Sequence, residues 1–475
     1  MRRHFCDGRA LSTPFGWHQL DSNETYITKG RRPNTCFEAN TLQLDLNNLD
    51  QVNREQLTQW EAQLAAEYLS FQAQALSLDL TRGKPSAEQL TLSNKLDGIL
   101  NGDYTSADGT DVRNYGGLDG IAEMKQLGAN ILGVKTSEVL VGGNSSLTLM
   151  FQAMMVATTF GYKGADSAWN TSATTEGTVK FLCPVPGYDR HYTLCEQLGV
   201  EMLTVPMTAT GPDMEAVEAL VAKDPSIKGI WCVPKYSNPT GVVYSDETVE
   251  RIAKLGRIAG PNFLVFWDNA YAVHDLSDKP APLASIMDYC RQHGTEDSVL
   301  QFASTSKITF AGAGVAFLAA SEANLAAFKK VLGTLTIGPD KVNQLRHAKL
   351  LPDMDALTAH MQKHAAIIKP RFDSVLEHLE AAFADNDLGQ WESAEGGYFI
   401  SFDARPGLAK TVVAMAAEAG VKLTPAGATF PYGKDPEDRN IRIAPTVPTV
   451  EEVDAAMKIF VNCVQLASVR QVLNA

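Results

Sequence analysis

Ser298-Val299-Leu300-Gln301-Phe302-Ala303, followed by Ser304-Thr305-Ser306-Lys307-Ile308-Thr309-Phe310-Ala311-Gly312-Ala313-Gly314, is an apolar run that ends in hydroxyls, a lysine and a glycine-containing turn. A short apolar run bounded by turn chemistry reads as a buried strand. A lysine at the C-terminal end of such a strand is costly to keep charged, because desolvation favours the neutral amine. A neutral amine is what a Schiff-base nucleophile requires. A strand-end lysine that merely reaches solvent along its stem leaves the same trace, so the rest of the chain has to decide.

Outward from this stretch, Val139–Val141, Val179–Cys183, Glu201–Val205, Ile227–Val233, Phe263–Trp267 and Val315–Ala319 are further extended apolar runs. Helical patterns such as Asp213–Ala222 and Asp246–Ala259 lie between most of them. The alternation predicts an α/β fold, a mostly parallel seven-stranded sheet with helices on both faces. Ligands of such sheets bind beyond the C-terminal strand ends. After Leu351 the pattern becomes a long helix over about Asp353–Ala382, the stretch Gly396–Phe402, a helix near Leu408–Ala419, a strand around Asn440–Ala444 and a final helix from Val450, a smaller α+β domain. Upstream, Leu57, Trp60, Leu64, Tyr68 and Phe71 recur at helical spacing. The expected organisation is an irregular extension over 1–45, a segment 46–95 joining the small domain, a large ligand-binding domain over 96–350 and the small domain over 351–475.

Composition narrows the function. Forty-one Lys+Arg against 55 Asp+Glu give a net charge of -14, which argues against a nucleic-acid partner. The seven cysteines are scattered without a Cys-x-x-Cys pair, so neither a disulfide framework nor a zinc site is indicated. Phe310–Ala320 is too short to span a bilayer, and Arg2-Arg3 is not followed by an apolar signal segment. A cytoplasmic protein without a membrane partner is expected. His360 and His364 stand one turn apart but lack a third ligand, and they read as the solvated face of a polar helix.

Several strand ends carry polar groups. Gly142-Gly143-Asn144-Ser145-Ser146 opens a helix, where free N–H groups suit a phosphate or an ordinary cap. Pro186-Gly187-Tyr188-Asp189-Arg190-His191 offers an aromatic ring to stack on a flat ligand or to pack. Ser237-Asn238-Pro239-Thr240-Gly241 is a turn by composition. Asp268 in Trp267-Asp268-Asn269-Ala270-Tyr271 is costly to bury unless it meets a cation. The loop Leu78–Pro85 brings Gly83 and two cations together, and Asn114-Tyr115-Gly116-Gly117 lies in a long irregular segment of the kind that marks a site or an interface.

In this order, and with Asn440-Ile441-Arg442-Ile443 at the end, the chain resembles the fold type I pyridoxal-phosphate aminotransferases, most nearly a bacterial aspartate aminotransferase branch. The resemblance covers roughly Leu78 to the C-terminus. It implies that Lys307 carries pyridoxal 5'-phosphate as a Schiff base and moves the substrate proton, and that Asp268 pairs with the pyridine nitrogen. Asn238 and Tyr271 would bond the ring's phenolic oxygen, Tyr188 would stack on the ring, and His191 would support Asp268. Asn144, Ser145 and Ser304 would hold the phosphate, with Tyr115 lent across a homodimer, and Ser306 would be a further cofactor-binding residue. Arg442 would clamp the substrate carboxylate beside Gly83 and Asn238.

One departure stands out. Where many relatives place a phosphate-binding arginine, this chain has Val315, so backbone N–H groups or a cation from elsewhere would have to serve. Arg82, Lys84 and Arg113 are candidates for a distal carboxylate, and a surface role fits each equally well. The expected activity is ping-pong amino transfer between an amino acid and a 2-oxo acid, aspartate and 2-oxoglutarate first. A different amino acid specificity, a β-eliminating lyase of the same fold, and an effector-sensing regulator are the alternatives, the last requiring an attached DNA-binding domain.

Overall fold

The computed structural model describes residues 46–475 other than 278, 393 and 394. The extension expected over 1–45 lies outside them. The strands, in chain order, are β1 Leu78–Leu80, β2 Val139–Val141, β3 Lys180–Val185, β4 Glu201–Thr208, β5 Gly211–Pro212, β6 Ile227–Cys232 and β7 Leu264–Asp268. They continue with β8 Val299–Ser304, β9 Ala316–Ala320, β10 Gly389–Trp391, β11 Ile400–Ala404, β12 Val421–Leu423 and β13 Asn440–Ile443.

The central sheet has the order β2-β9-β8-β7-β6-β3-β4-β5. The step from β8 through β7, β6 and β3 to β4 is parallel throughout. Such strands are buried on both faces, which is why β6 and β7 are buried along their whole length and mostly apolar rather than alternating. Successive side chains of β7 still face opposite ways. Phe266 packs with Phe181, Phe302 and Leu318, whereas Val265 and Trp267 pack with Ile230, Val249 and Ile252 on the other face. One correction follows: the sheet has eight strands rather than seven, because the two-residue β5 pairs with β4. Within the mostly parallel arrangement, β9 runs antiparallel to both its neighbours.

Since β2 and β8 each oppose β9, β2 runs the same way as the parallel strands. The C-terminal ends of β2, β3, β6, β7 and β8 therefore open on one edge. After the long irregular segment, the next helix, Ala122–Leu132, begins only beyond Gly116, Gly117 and Gly120, which take positive φ and hold the segment in turns.

The remaining strands form an antiparallel β10-β11-β13 sheet and a parallel β1-β12 pair. Helices Arg54–Ala73, Met354–Phe383 and Val450–Asn474 cover them, joining Leu57, Leu64, Phe372, Leu379 and Phe460 in one apolar cluster. Among the described residues no helix is long and apolar enough to cross a membrane.

Candidate active site

Lys307 lies three residues past the end of β8, in a turn. Its Nζ stands 4.9 Å from the centre of the Tyr271 ring. Burial lowers its pKa below the usual lysine range, opposed only in part by the charge of Asp268.

The backbone of this turn is held from beneath. Tyr398 Oη donates to Lys307 O at 3.2 Å, and His274 Nε2 approaches the same oxygen at 3.4 Å. His360 Nε2 is 2.8 Å from Ile308 O and 3.2 Å from His364 Nε2. Gln89 Oε1 accepts from Ser86 N, so its amide N–H groups face Tyr398 Oη and His364 Nδ1, each at 3.0 Å. His364 Nδ1 must then accept, which leaves the His364 proton on Nε2, beside Ile308 O. Three side chains, Tyr398, His274 and His360, thus fix the carbonyls of Lys307 and Ile308.

This overturns the surface reading of His360 and His364, which are 7 % and 1 % exposed. They fall in phase with Leu357, Met361, Ile368 and Phe372, the buried stripe of their helix. Desolvation keeps both imidazoles below the ordinary range, His364 at about 4, and pushes His274 well below it, with Lys307 adding to the effect there. Stability follows from the sign of these shifts. On acidification the unfolded chain takes up protons near pH 6.5 while the folded histidines refuse them, so the stabilisation is full above pH 6.5 and is lost toward pH 4. For His364 alone the linkage is on the order of 3 kcal/mol. The melting temperature should fall between pH 6.5 and 4, and less steeply in His364→Gln; equal slopes would count against the account.

Asp268, the last residue of β7, is 3 % exposed. Its Oδ2 accepts from His191 Nε2 at 3.0 Å, and the His191 ring is stacked on Trp231 with centroids 4.2 Å apart. Asp268 Oδ1 is buried and has no partner among the described residues. A bare buried carboxylate oxygen is expensive, and a donor entering from the sheet edge would satisfy it. Tyr188 follows β3 and meets the His191 ring edge-on at 5.0 Å, its hydroxyl pKa pushed up to about 12 by burial and then by Asp268. Tyr271 is likewise buried, its ring 6.0 Å from that of Tyr398.

After β2, Asn144 and Ser145 precede the helix Ser146–Met155, and Ser145 makes no side-chain cap. Asn144 Nδ2 donates to Gly312 O at 3.2 Å, Ser306 Oγ donates to Asn144 O at 3.1 Å, and Ser304 Oγ accepts from Ser306 N at 3.4 Å. The two loops therefore converge on a helix N-terminus, a place suited to an anion. Val315 takes no part. Its side chain is 1 % exposed in the core and its N–H is spent on Thr305 Oγ1 at 2.8 Å.

Arg442, on β13, is 6 % exposed. Its guanidinium lies 4.8 Å above the Phe399 ring and bonds Asn238 Oδ1, Thr424 Oγ1 and Asp189 Oδ1. Gly83 is required here because a Cβ would strike the Phe399 ring. The Asp189 contact was not anticipated from the sequence. Tyr115 stands apart from this group, 82 % exposed, on a loop whose carbonyls at Asn114 and Gly116 accept from Lys341 Nζ at 2.9 and 2.6 Å. Arg82 and Lys84 are exposed, and Arg113 is engaged with Asp111 at 2.6 Å.

A flat pyridinium with a phosphate tail fits these residues: an open oxygen on Asp268, an aromatic at Tyr188, an anion site at the helix start and an amine on Lys307. The aspartate amino-transferase family profile matches residues 52–475. The chain belongs to that family. It is similar to the aspartate aminotransferase of Corynebacterium glutamicum, 44% identical over 428 residues that cover 90% of this chain and 98% of that protein. The crystal structure of an aspartate transaminase from that organism superposes with a TM-score of 0.86, covering 89% of this chain and 99% of that one at 44% identity. The fold extends to LysN, the α-aminoadipate aminotransferase of Thermus thermophilus solved with N-(5'-phosphopyridoxyl)-L-leucine, at 20% identity and a TM-score of 0.66. Like its family, this aminotransferase uses pyridoxal 5'-phosphate.

Proposed function

We propose that the protein transfers an amino group from aspartate to 2-oxoglutarate by a ping-pong mechanism, as a cytoplasmic homodimer. The reading is carried by one observation: a lysine of lowered pKa and a buried carboxylate with an open oxygen stand on the same sheet edge. The choice of aspartate is supported by the likeness to the C. glutamicum aspartate aminotransferase.

When bound, pyridoxal phosphate supplies an electron sink for the substrate's Cα. Asp268, backed by His191, keeps the ring nitrogen protonated. Asn144, Ser145, Ser304 and Ser306 would hold the phosphate, and Tyr188 would cover the ring. Asn238 and Tyr271 would bond the ring hydroxyl, and Tyr271 also lies against Lys307. Arg442 and the backbone at Gly83 hold the substrate carboxylate. Lys307 Nζ then takes the proton from substrate Cα, for which an amine titrating below the ordinary lysine range is suited. Tyr115 reaches a partner subunit, consistent with its exposure in a single chain. Residues 96–350 act as the cofactor-binding part, with 351–475 and 46–95 forming the part that carries Arg442.

Initial velocities with aspartate and 2-oxoglutarate varied together should give parallel reciprocal lines, with oxaloacetate and glutamate formed one for one. Release of alanine and CO2 from aspartate, or of pyruvate and ammonia from a substrate with a leaving group on Cβ such as serine, would instead make the protein a lyase.

A further inference from the structure

Arginine has five N–H groups, and their partners at Arg442 are unequal. Nε donates to Thr424 Oγ1 at 3.3 Å, and the two protons of Nη1 go to Asn238 Oδ1 at 3.2 Å and Asp189 Oδ1 at 3.1 Å. Thr424 and Asn238 are 5 % and 3 % exposed, and Thr424 Oγ1 is itself tied to Thr81 O at 2.8 Å. The Asp189 side chain is 32% exposed.

A carboxylate gripped by two parallel bonds needs two adjacent N–H groups. The Nε and Nη2 edge is free only if buried Thr424 gives way. The Nη1 and Nη2 edge is freed when one of the two Nη1 partners gives way, and of these Asn238 is buried whereas Asp189 has water to move into.

We propose that Asp189 is an internal stand-in for the substrate carboxylate: in the ligand-free site it occupies an Nη1 N–H of Arg442, and every incoming amino or oxo acid must displace it. The inference rests on the reading of Arg442 as the carboxylate clamp. Asp189 keeps a buried guanidinium paired while the site is empty, since an unpaired buried charge is costly. It also competes with all carboxylates alike, so affinity is lowered without choosing between substrates. Asp189 opens the helix Asp189–Gln197, where a negative charge suits the helix dipole. That role alone would make Asp189 matter for stability and leave ligand affinity untouched.

The two are separated by Asp189→Asn, which keeps an acceptor oxygen but removes the charge. Binding of succinate, an unreactive dicarboxylate, to the pyridoxal-phosphate-loaded protein is measured by calorimetry, with acetate as a probe carrying a single carboxylate. The variant should bind both roughly three- to tenfold more tightly, the size expected when a partly exposed ion pair ceases to compete. Unchanged or weaker binding, with or without a drop in melting temperature, would overturn the inference. Arg442→Lys serves as the control. If it loses succinate binding while Asp189→Asn changes nothing, only the stand-in role fails; if it binds succinate as the wild type does, the clamp reading fails and the inference with it.

Discussion

Replacing Lys307 by Ala should lower amino transfer by at least about 10^4-fold, because one side chain serves as both the attachment point and the proton carrier. At 1.36 kcal/mol per tenfold, that is a barrier increase of about 5 kcal/mol. The fold should not suffer. The bonds that fix this turn run to the backbone oxygens of Lys307 and Ile308, which the variant keeps. It also loses an amine that burial discourages from carrying charge. Steady-state rates and a melting curve on one preparation check both halves. Residual activity above about one hundredth of wild type would remove Lys307 from the chemistry, and a collapsed melting temperature would mean that its side chain holds the turn.

The second large effect is expected at Asp268. Asp268→Asn retains the shape but loses the negative charge that would meet the ring nitrogen, and kcat should fall by about 10^2- to 10^3-fold, as when a fixed charge opposite a developing one is removed. His191 and Trp231 beneath it should stay in place, so the cofactor phosphate site is unaffected. The measurement is kcat beside the dissociation constant for pyridoxal phosphate. A loss of less than about tenfold would show that the bare Oδ1 has another purpose.

The parallel part of the sheet was legible because buried parallel strands write themselves as nearly continuous apolar runs; Phe263–Trp267 is such a run, and Ile227–Val233 is interrupted only at Lys228-Gly229, where the Lys228 amine bonds Pro261 O. β5 was not. Two residues, one of them Pro212, leave no periodicity, and only the turn after β4 brings them into the sheet. The strand-end motifs were readable for a related reason, since each sits where an apolar run stops and a turn begins. His360 and His364 were misread because the residues between and beside them, such as Gln362 and Lys363, are polar. Their phase with Leu357, Met361 and Ile368 was the available signal. Their partners Gln89, Ser93 and Ile308 lie far away in sequence, and no spacing rule connects them. Asp189 was visible beside Tyr188, yet its pairing with Arg442 spans 253 residues and exists only once the strand β13 is placed against the end of β3.

The measurement that tests the central claim most directly is a half-reaction. Protein loaded with pyridoxal phosphate is mixed with aspartate in the absence of any oxo acid, and the cofactor's visible absorbance and the oxaloacetate formed are followed together. The account predicts that the visible band is lost while one oxaloacetate forms per active site, that the reaction then stops, and that 2-oxoglutarate restores the band with release of glutamate. A band that does not respond to aspartate, or oxaloacetate that keeps accumulating without an acceptor, would contradict it.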